Sequence, residues 1–179
     1  MNGNIEYRMI DYEEVSTGLF QEFRRHQNVT KCWRKEEGRW CIKDIAFVDD
    51  WSQNDYEYLV DSLKKNLAEG GMVYGAFKQN SLKGFTSVSG TLFGSGGEYL
   101  DLVEIYVSEE LRGQGVGTEL FMKVKEWAKQ HGAEKLYISA HSAVESQAFY
   151  KSMGCVEAQE YSVRHVEKEP CDCQLECLL

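Results

Sequence analysis

The sequence lacks a long apolar run, a basic leader, repeats and low-complexity tracts. No apolar stretch approaches the roughly 20 residues that a helix needs to span a bilayer, which speaks against a membrane protein or a membrane partner. Residues 1–6 contain no basic segment followed by an apolar one, so we expect no secretory signal and a cytoplasmic location. Because its 179 residues contain no linker, the chain is predicted to form a single domain over residues 1–179.

Positive charge is also scarce. The chain has 20 Lys and Arg residues against 29 Asp and Glu residues, which gives a net charge of −9. A surface of this sign repels the phosphate backbone of DNA and RNA, so we expect no nucleic-acid partner. The excess of negative charge would suit a cationic substrate, although solubility alone would also explain it.

The six cysteines do not follow a metal-binding pattern. Three of them form the series Cys171-x-Cys173-x-x-x-Cys177, which differs from the Cys-x-x-Cys spacing of zinc sites. On a strand, successive side chains alternate between faces, so this spacing would scatter the ligands. We therefore predict that the protein holds no metal and, without a secretory signal, that its thiols stay reduced.

A glycine-rich turn is the most informative feature that the chain does have. Residues 112–117 are Arg-Gly-Gln-Gly-Val-Gly, between an apolar run at 100–107 and a helix-like segment at 118–131. The free N–H groups and the dipole of a helix N-terminus bind anions, and glycine lets the backbone approach the ligand closely. A glycine turn that merely joins a strand to a helix would have the same composition.

Two common phosphate motifs do not match this turn. A Walker A loop needs Lys and then Ser or Thr after its last glycine, whereas Thr118 and Glu119 follow here. A Rossmann fingerprint needs two residues between its second and third glycines, whereas one residue separates Gly115 from Gly117.

The pattern Arg-x-x-Gly-x-Gly resembles the pyrophosphate loop of the GNAT superfamily of acetyl-CoA-dependent N-acetyltransferases. The downstream order resembles that superfamily too, because a strand at 135–140 precedes a short helix with the series Phe-Tyr-x-x-x-Gly at 149–154. The similarity is strongest over residues 99–155. It implies acetyl-CoA as co-substrate, with the diphosphate bound by Arg112, Gly113, Gln114, Gly115, Val116, Gly117 and Thr118.

The hydrophobic periodicity predicts strand, two helices, three strands, helix, strand, helix and two strands. The strands are predicted at 5–10, 72–78, 82–93, 100–107, 135–140, 156–163 and 173–178, and the helices from Asp11, at 54–69, at 118–131 and from a Ser142–Glu145 capping box to about 153. Residues 28–51, with three of the four tryptophans, give no clear pattern. The order resembles the acyl-CoA N-acyltransferase fold of the superfamily: α/β, with a mixed, mostly antiparallel central sheet of about seven strands flanked by helices, in which the strands on either side of the loop and its helix splay apart.

Acetyl transfer to an amine needs a polarised carbonyl, a base for the amine and an acid for the leaving thiolate. On the resemblance, the backbone of Ile105, Tyr106 and Val107 polarises the carbonyl. The tyrosine of the short helix lies near the sulfur of CoA in the resembling enzymes, so Tyr150 is the candidate acid and a cofactor contact; otherwise Tyr150 belongs to the core.

Two carboxylates are candidates for the base. Glu104 and Asp101 each match an acidic position found in groups of the superfamily, and Glu104 is preferred. They lie three residues apart, so a regular strand would direct them to opposite faces unless a bulge intervenes. His141 is a further candidate because a histidine titrates near neutral pH, and a water-relayed path stays open.

One departure from the family pattern concerns the pantetheine arm. The superfamily usually has an asparagine seven residues before the helix tyrosine, where Ala143 stands here, and we expect Ser142 and Ser146 to substitute. On the resemblance, residues 20–51 would form the acceptor wall, which is the side of the site that binds the acceptor amine. There, Asp49, Asp50 and Trp51 would suit a cation, unless the aspartates cap the next helix and the tryptophan is in the core.

We therefore interpret the chain as an N-acetyltransferase that moves an acetyl group directly from acetyl-CoA to a primary amine of a small cationic molecule, such as an antibiotic or a polyamine. A protein or peptide amine is an alternative acceptor. A non-catalytic acyl-CoA-binding module is an alternative function, since Ala143 would fit a loss of turnover. A homodimer through the apolar terminal segment at 173–179 is also expected, unless that strand has a neighbour within the chain.

Overall fold

A seven-stranded sheet forms the centre of the computed structural model, which describes residues 4–179. The strands of the chain are β1 (Glu6–Met9), β2 (His26–Glu36), β3 (Arg39–Asp50), β4 (Met72–Lys78), β5 (Ser81–Val88), β6 (Tyr99–Val107), β7 (Lys135–Ala140), β8 (Val156–Glu157) and β9 (Cys173–Leu178). The central sheet has the order β1-β4-β5-β6-β7-β9-β8, and β2 pairs with β3 in a separate sheet. Among the strand pairs of residues 4–179, only β6 and β7 run parallel. The predicted mixed, mostly antiparallel α/β fold is confirmed.

Helices flank this sheet on both faces. They are α1 (Gln53–Ala68), α2 (Val116–Gln130), α3 (Val144–Ser152) and the short α4 (Val163–Lys168). A capping box starts α1, because the Ser52 hydroxyl accepts the N–H of Asp55 while the Asp55 carboxylate accepts the N–H of Ser52. Ser52, rather than Asp49 or Asp50, therefore caps this helix. Within residues 4–179, no helix has the length and apolar character that a membrane span requires.

Two hydrophobic clusters hold the layers together. On one face, Phe121 and Val124 of α2 pack with Leu100, Leu102 and Leu136 of the sheet. On the other face, α1 packs over β4 and β5, and Phe20, Phe23 and Phe85 form edge-to-face aromatic contacts; the α1 side chains in this cluster are Leu59, Val60 and Leu63. Burying one such side chain stabilises the fold by about 1.5–3 kcal/mol.

The helix predicted from Asp11 is wrong. The Asp11 N–H does donate to the Glu14 carboxylate at 2.9 Å, as a capping box would require, but this contact closes only a single turn. Ser16 is extended, and a four-residue 3₁₀ helix follows at Thr17–Phe20. The apolar side chains of the predicted helix face are nonetheless buried, because the core rather than the local period selects the backbone here.

Residues 28–51, whose sequence gave no clear pattern, belong to a long β-hairpin of β2 and β3. Glu37 and Gly38 both have positive φ angles, 49° and 78°, which suits the two-residue turn between strands of right-handed twist. The hairpin contacts the body of the protein through Val29 and Cys32, which pack on the buried Ala143. In place of the two helices predicted before β4, the chain has a short 3₁₀ helix, then this hairpin, then one α-helix.

The C-terminal part also differs from the prediction. The strand predicted at 156–163 is limited to β8, and α4 follows it. Strand β9 lies between β7 and β8, so the apolar terminal strand has neighbours within the chain. This removes the reason for expecting a dimer through that strand. The strand predicted at 82–93 ends at Val88, and Phe93 only bridges to Tyr99.

Candidate active site

The parallel strands β6 and β7 diverge and open a cleft through the sheet. Their pairing is confined to residues Tyr99–Asp101 and Lys135–Tyr137, so the second half of β6 has no partner on the β7 side. The cleft that begins there has a volume of about 1520 Å³. The splaying that the resemblance implied is thus present, although no local property of the sequence requires it.

Backbone groups of β6 point into this gap. The Ser108 N–H donates to the Lys83 carbonyl at 2.8 Å, which fixes the hydrogen-bonding phase of the β5–β6 ladder. Alternate residues direct their N–H and C=O groups to opposite sides. The backbone of Tyr106 therefore faces β5, whereas that of Ile105 and Val107 faces the gap. Of the three residues expected to polarise a carbonyl, these two have their N–H groups on the side of the cleft.

A β-bulge brings Asp101 and Glu104 to the same face of the sheet. Ser87 pairs with Glu104 and Val88 with Leu102, so Val103 is an extra residue in β6. Both carboxylates line the cleft as a result. The side chain of Tyr106, two residues after Glu104, shares this face.

The two carboxylates differ in their partners. Asp101 is buried and accepts from His165 Nε2 at 2.7 Å and from Arg164 at 3.4 Å, so α4 already neutralises it. Glu104 is half-buried and has no ion-pair partner within the described residues. Burial raises the pKa of Glu104 to about 7, although Lys168 and a hydrogen bond from Tyr106 act in the opposite direction. A carboxylate that titrates near neutral pH is suited to accept a proton.

The glycine turn presents a row of free amides. Gly113 and Gly115 have φ angles of 73° and 83°, which glycine adopts without strain, and Gly115 is the N-cap of α2. Within residues 4–179, the amides of 113–118 donate to no backbone or side-chain acceptor. A Cβ on Gly117 would lie 3.3 Å from the ring of Phe149, so α2 and α3 approach closely here.

The remaining residues of this segment have different surroundings. Arg112 lines the cleft, with its guanidinium donating to the carbonyls of Val107 at 3.0 Å and His26 at 2.6 Å. Thr118 also lines it. Val116 is buried in the core, and the Gln114 amide donates to the carbonyl of Glu110, so the side chains of Gln114 and Val116 lie outside the cleft lining.

Helix α3 carries Tyr150 to the mouth of the gap. Burial is the main cause that raises the pKa of Tyr150 well above its ordinary value, and the negative charges of Glu104 and Asp172 raise it further. Tyr150 is therefore protonated at neutral pH. Ser146, one turn earlier on α3, also lines the cleft.

His141, rather than Ser142, makes the side-chain contact at the start of α3. The Ser142–Glu145 capping box is wrong, because Ser142 is buried and accepts from Arg34 of the hairpin at 2.7 Å. Its hydroxyl is not part of the cleft lining. His141 does line the cleft, but its Nδ1 accepts the N–H of Ala143 at 3.1 Å and so serves the start of α3.

The site at Asp49 and Trp51 that was predicted to bind a cation is occupied by Arg25 of the same chain. Arg25 forms an ion pair with Asp49 and lies 5.7 Å from the Trp51 ring and 5.0 Å from the Tyr106 ring. Arg25 is 6% exposed, and it could not be recognised from the sequence because its partners are distant in the chain. His26 lies 3.6 Å from Asp50 at the same end of the hairpin.

Two residues that no sequence pattern indicated, His165 and Asp172, line the cleft from the C-terminal part of the chain. Neither belongs to a motif, and the predicted strand at 156–163 concealed α4. Within the described residues, no group of three His, Cys, Asp or Glu side chains has the geometry to hold a metal ion.

The chain is similar to known proteins in sequence and in fold. The profile of the Acetyltransferase (GNAT) family matches residues 30–155, well over half of the chain. A Bacillus subtilis (strain 168) protein described as the uncharacterized N-acetyltransferase YobR is 45% identical over 40 residues, which span 22% of this chain and only 16% of that protein.

Solved structures extend the likeness over nearly the whole chain. A nourseothricin acetyltransferase has a TM-score of 0.66 at 15% identity, with 96% of this chain and 95% of that chain covered. A protein of Bacillus anthracis str. Ames, provisionally assigned as a streptothricin acetyltransferase and solved in complex with acetyl coenzyme A, has a TM-score of 0.67 at 17% identity, with 97% and 96% covered. At these identities the likeness establishes a shared fold.

Proposed function

The chain belongs to the GNAT acetyltransferase family, and from this premise we propose that it transfers an acetyl group directly from acetyl-CoA to a primary amine of a small cationic molecule. The observation that carries the proposal is the continuity between the open β6–β7 gap and the row of free amides at 113–118. A diphosphate and an extended pantetheine arm need this combination of an anion cradle and an adjoining slot.

The cradle suits a diphosphate on physical grounds. Free N–H groups and the positive end of the α2 dipole attract an anion, and the glycines let the backbone come close. Arg112 adds a positive charge that its bonds to two carbonyls hold at the cleft. We assign the diphosphate to this segment and the pantetheine arm to the gap, with Ser146 along its wall.

In this assignment the thioester supplies the acetyl group, and the N–H groups of Ile105 and Val107 stabilise negative charge on its carbonyl oxygen. Glu104 accepts the proton that the amine must lose, because it is half-buried, unpaired and titrates near pH 7. Asp101 is the weaker candidate since His165 and Arg164 already bind it.

Tyr150 completes the transfer by donating its proton toward the sulfur as the carbon–sulfur bond breaks. The new bond joins the amine nitrogen to the acetyl carbon. A neutral amine loses one proton to Glu104 and the sulfur gains one from Tyr150, so the products are the acetylated amine and free CoA. Return of the Glu104 proton to the Tyr150 phenolate restores the enzyme, and an acceptor that arrives as an ammonium first releases one further proton to solvent.

The charge of the cleft supports a cationic acceptor. Nine Asp and Glu side chains line it, against five Lys and Arg side chains. Field lines from such an excess concentrate in a cleft with low-dielectric walls and attract cations. Structural neighbours named for nourseothricin and streptothricin acetylation agree with this choice, and a polyamine fits it equally.

The proposal is tested by following CoA release from acetyl-CoA against a panel of polyamines, aminoglycosides, streptothricin and short peptides. We expect release with one of the small cations and none with neutral peptides. Calorimetric titration with acetyl-CoA runs in parallel. Tight binding without release on any amine would favour the non-catalytic module, and absence of binding would refute the assignment of the glycine turn.

A further inference from the structure

Asp172 lies at the start of β9, across the gap from Glu104, and faces the same cleft. Both carboxylates are close enough to the Tyr150 hydroxyl to affect its ionisation. Tyr150, the proposed donor to the leaving sulfur, is thus influenced by two acidic side chains that come from distant parts of the chain.

A chain of hydrogen bonds fixes the Asp172 carboxylate. The Tyr137 hydroxyl donates to Gln174 Oε1 at 2.5 Å, Gln174 Nε2 donates to Ser139 Oγ at 3.1 Å, and Ser139 Oγ donates to Asp172 Oδ2 at 3.1 Å. Tyr137 and Gln174 are buried, so this chain is shielded from water. It occupies one carboxylate oxygen, and within residues 4–179 the other, Oδ1, accepts no hydrogen bond.

The two carboxylates also lack an ion pair within the described residues. Of the acidic side chains that line the cleft, Asp49 and Asp101 are ion-paired, and the exposed ones are solvated. Glu104 and Asp172 are half-buried and have no ion pair within the part of the chain that the structure describes. Partly desolvated carboxylates without a partner are unfavourable, and a bound cation would relieve that cost.

We propose that Asp172 binds a second cationic group of the acceptor, so that the enzyme selects molecules that carry an ammonium or guanidinium group in addition to the amine that is acetylated. The inference rests on the proposed function and narrows its substrate class. The reacting amine lies at Glu104 and Tyr150, and the second cation lies against Asp172 Oδ1. The hydrogen-bonded chain fixes the orientation of the Asp172 carboxylate before the cation binds, so less entropy is lost on binding.

The test compares linear diamines of two to six carbons with the monoamines of the same chain length. Wild-type enzyme should have a kcat/KM for its best diamine about 10- to 100-fold above that for the matched monoamine, as a charge-assisted hydrogen bond would give. Asp172→Asn keeps the shape of the side chain and should abolish this preference through a higher KM, while the monoamine kcat/KM stays unchanged. Glu167→Gln removes an exposed charge from α4 outside the cleft and should preserve the preference.

The outcomes separate this inference from the function on which it rests. Turnover of amines with no preference for diamines, or an equal loss for both classes in Asp172→Asn, would overturn the role of Asp172 and leave the acetyltransferase intact. If no amine is acetylated, the proposed function fails. Calorimetric binding of the diamines to wild type and Asp172→Asn then still decides the inference, because equal affinities would refute it.

Discussion

Replacing Glu104 with Gln should change both the pH–rate profile and the pH dependence of stability. The pKa of Glu104 is raised from its ordinary value of 4.5 to about 7 by burial. In the unfolded chain this carboxyl ionises near its ordinary value, so between these two pKa values the folded state holds the proton and the unfolded state does not. The free energy of unfolding therefore falls as pH rises through this window.

The size of the effect follows from the shift. At roughly 1.4 kcal/mol per pKa unit, the shift amounts to at most about 3 kcal/mol, and solvent at the half-buried carboxyl reduces this to about 2 kcal/mol. The Gln variant has no such titration. Its stability relative to wild type should rise by about 2 kcal/mol between pH 4.5 and 7.5 and stay constant above that. Urea denaturation of both proteins across pH 4.5–8.5 measures this difference.

The pH dependence of the catalytic rate should also be set by the ionisation of Glu104. For the wild type, kcat/KM should rise with pH through about 7 as Glu104 becomes a carboxylate able to take the proton of the amine. In Glu104→Gln this limb should disappear, and kcat should fall by about 10²–10⁴-fold. A stability difference that does not vary with pH would refute the assigned burial effect. A retained limb would refute the role as base and transfer it to Asp101, His141 or water.

Three further substitutions test other parts of the site. Gly115→Ala should weaken acetyl-CoA binding about tenfold in calorimetry, because the left-handed backbone conformation costs alanine about 1–2 kcal/mol and the turn must shift. Gly38→Ala, at a similar positive φ in the hairpin, is the control and should leave binding unchanged. Equal affinities of the Gly115 variant and the wild type would exclude the turn as the cradle. Tyr150→Phe should lower kcat at least about tenfold with little change in acetyl-CoA affinity, and unchanged steady-state kinetics would return the residue to a packing role. Partial burial raises the pKa of Glu110, but hydrogen bonds from Lys83 and Ser108 outweigh it and lower this pKa to about 2. Glu110→Gln should therefore destabilise the protein at pH 7, and the stabilities of the two proteins should converge as pH falls from about 4.5 to about 2. A stability difference that persists in acid denaturation curves would contradict this pairing.

The parts of the fold that could be predicted are those set by neighbouring residues. Strand β6, the glycine turn, α2 and β7 follow one another with clear hydrophobic periods and glycine at the positions of positive φ. The hairpin of β2 and β3 was not recognised because most of its side chains are exposed or half-exposed, which erases the alternation that identifies a strand. The turn at Glu37 also places a non-glycine residue in the left-handed region, which local rules do not expect.

The acceptor side of the site depends on contacts between distant residues. Asp101 was recognised as a candidate, but its partner His165 lies 64 positions later in the chain, and nothing local to either indicates the pair. Asp172 reaches the cleft because β9 inserts between β7 and β8, a topology that alternation cannot reveal. Sequence patterns therefore indicated the glycine turn and the elements on either side of it, whereas tertiary packing determines the surroundings of Asp101 and Asp172.

The extra residue at Val103 makes the acceptor wall sensitive to the length of β6 rather than to its composition. Deleting that single residue would restore a regular ladder with β5 and leave Asp101 and Glu104 two positions apart, so both would stay on one face. Inserting one more residue between Asp101 and Glu104, while the bulge stays, would instead turn one half of the strand over relative to the other, and one of the two carboxylates would leave the wall. A change in the length of β6, with no substitution, would thus alter which side chains face the proposed acceptor.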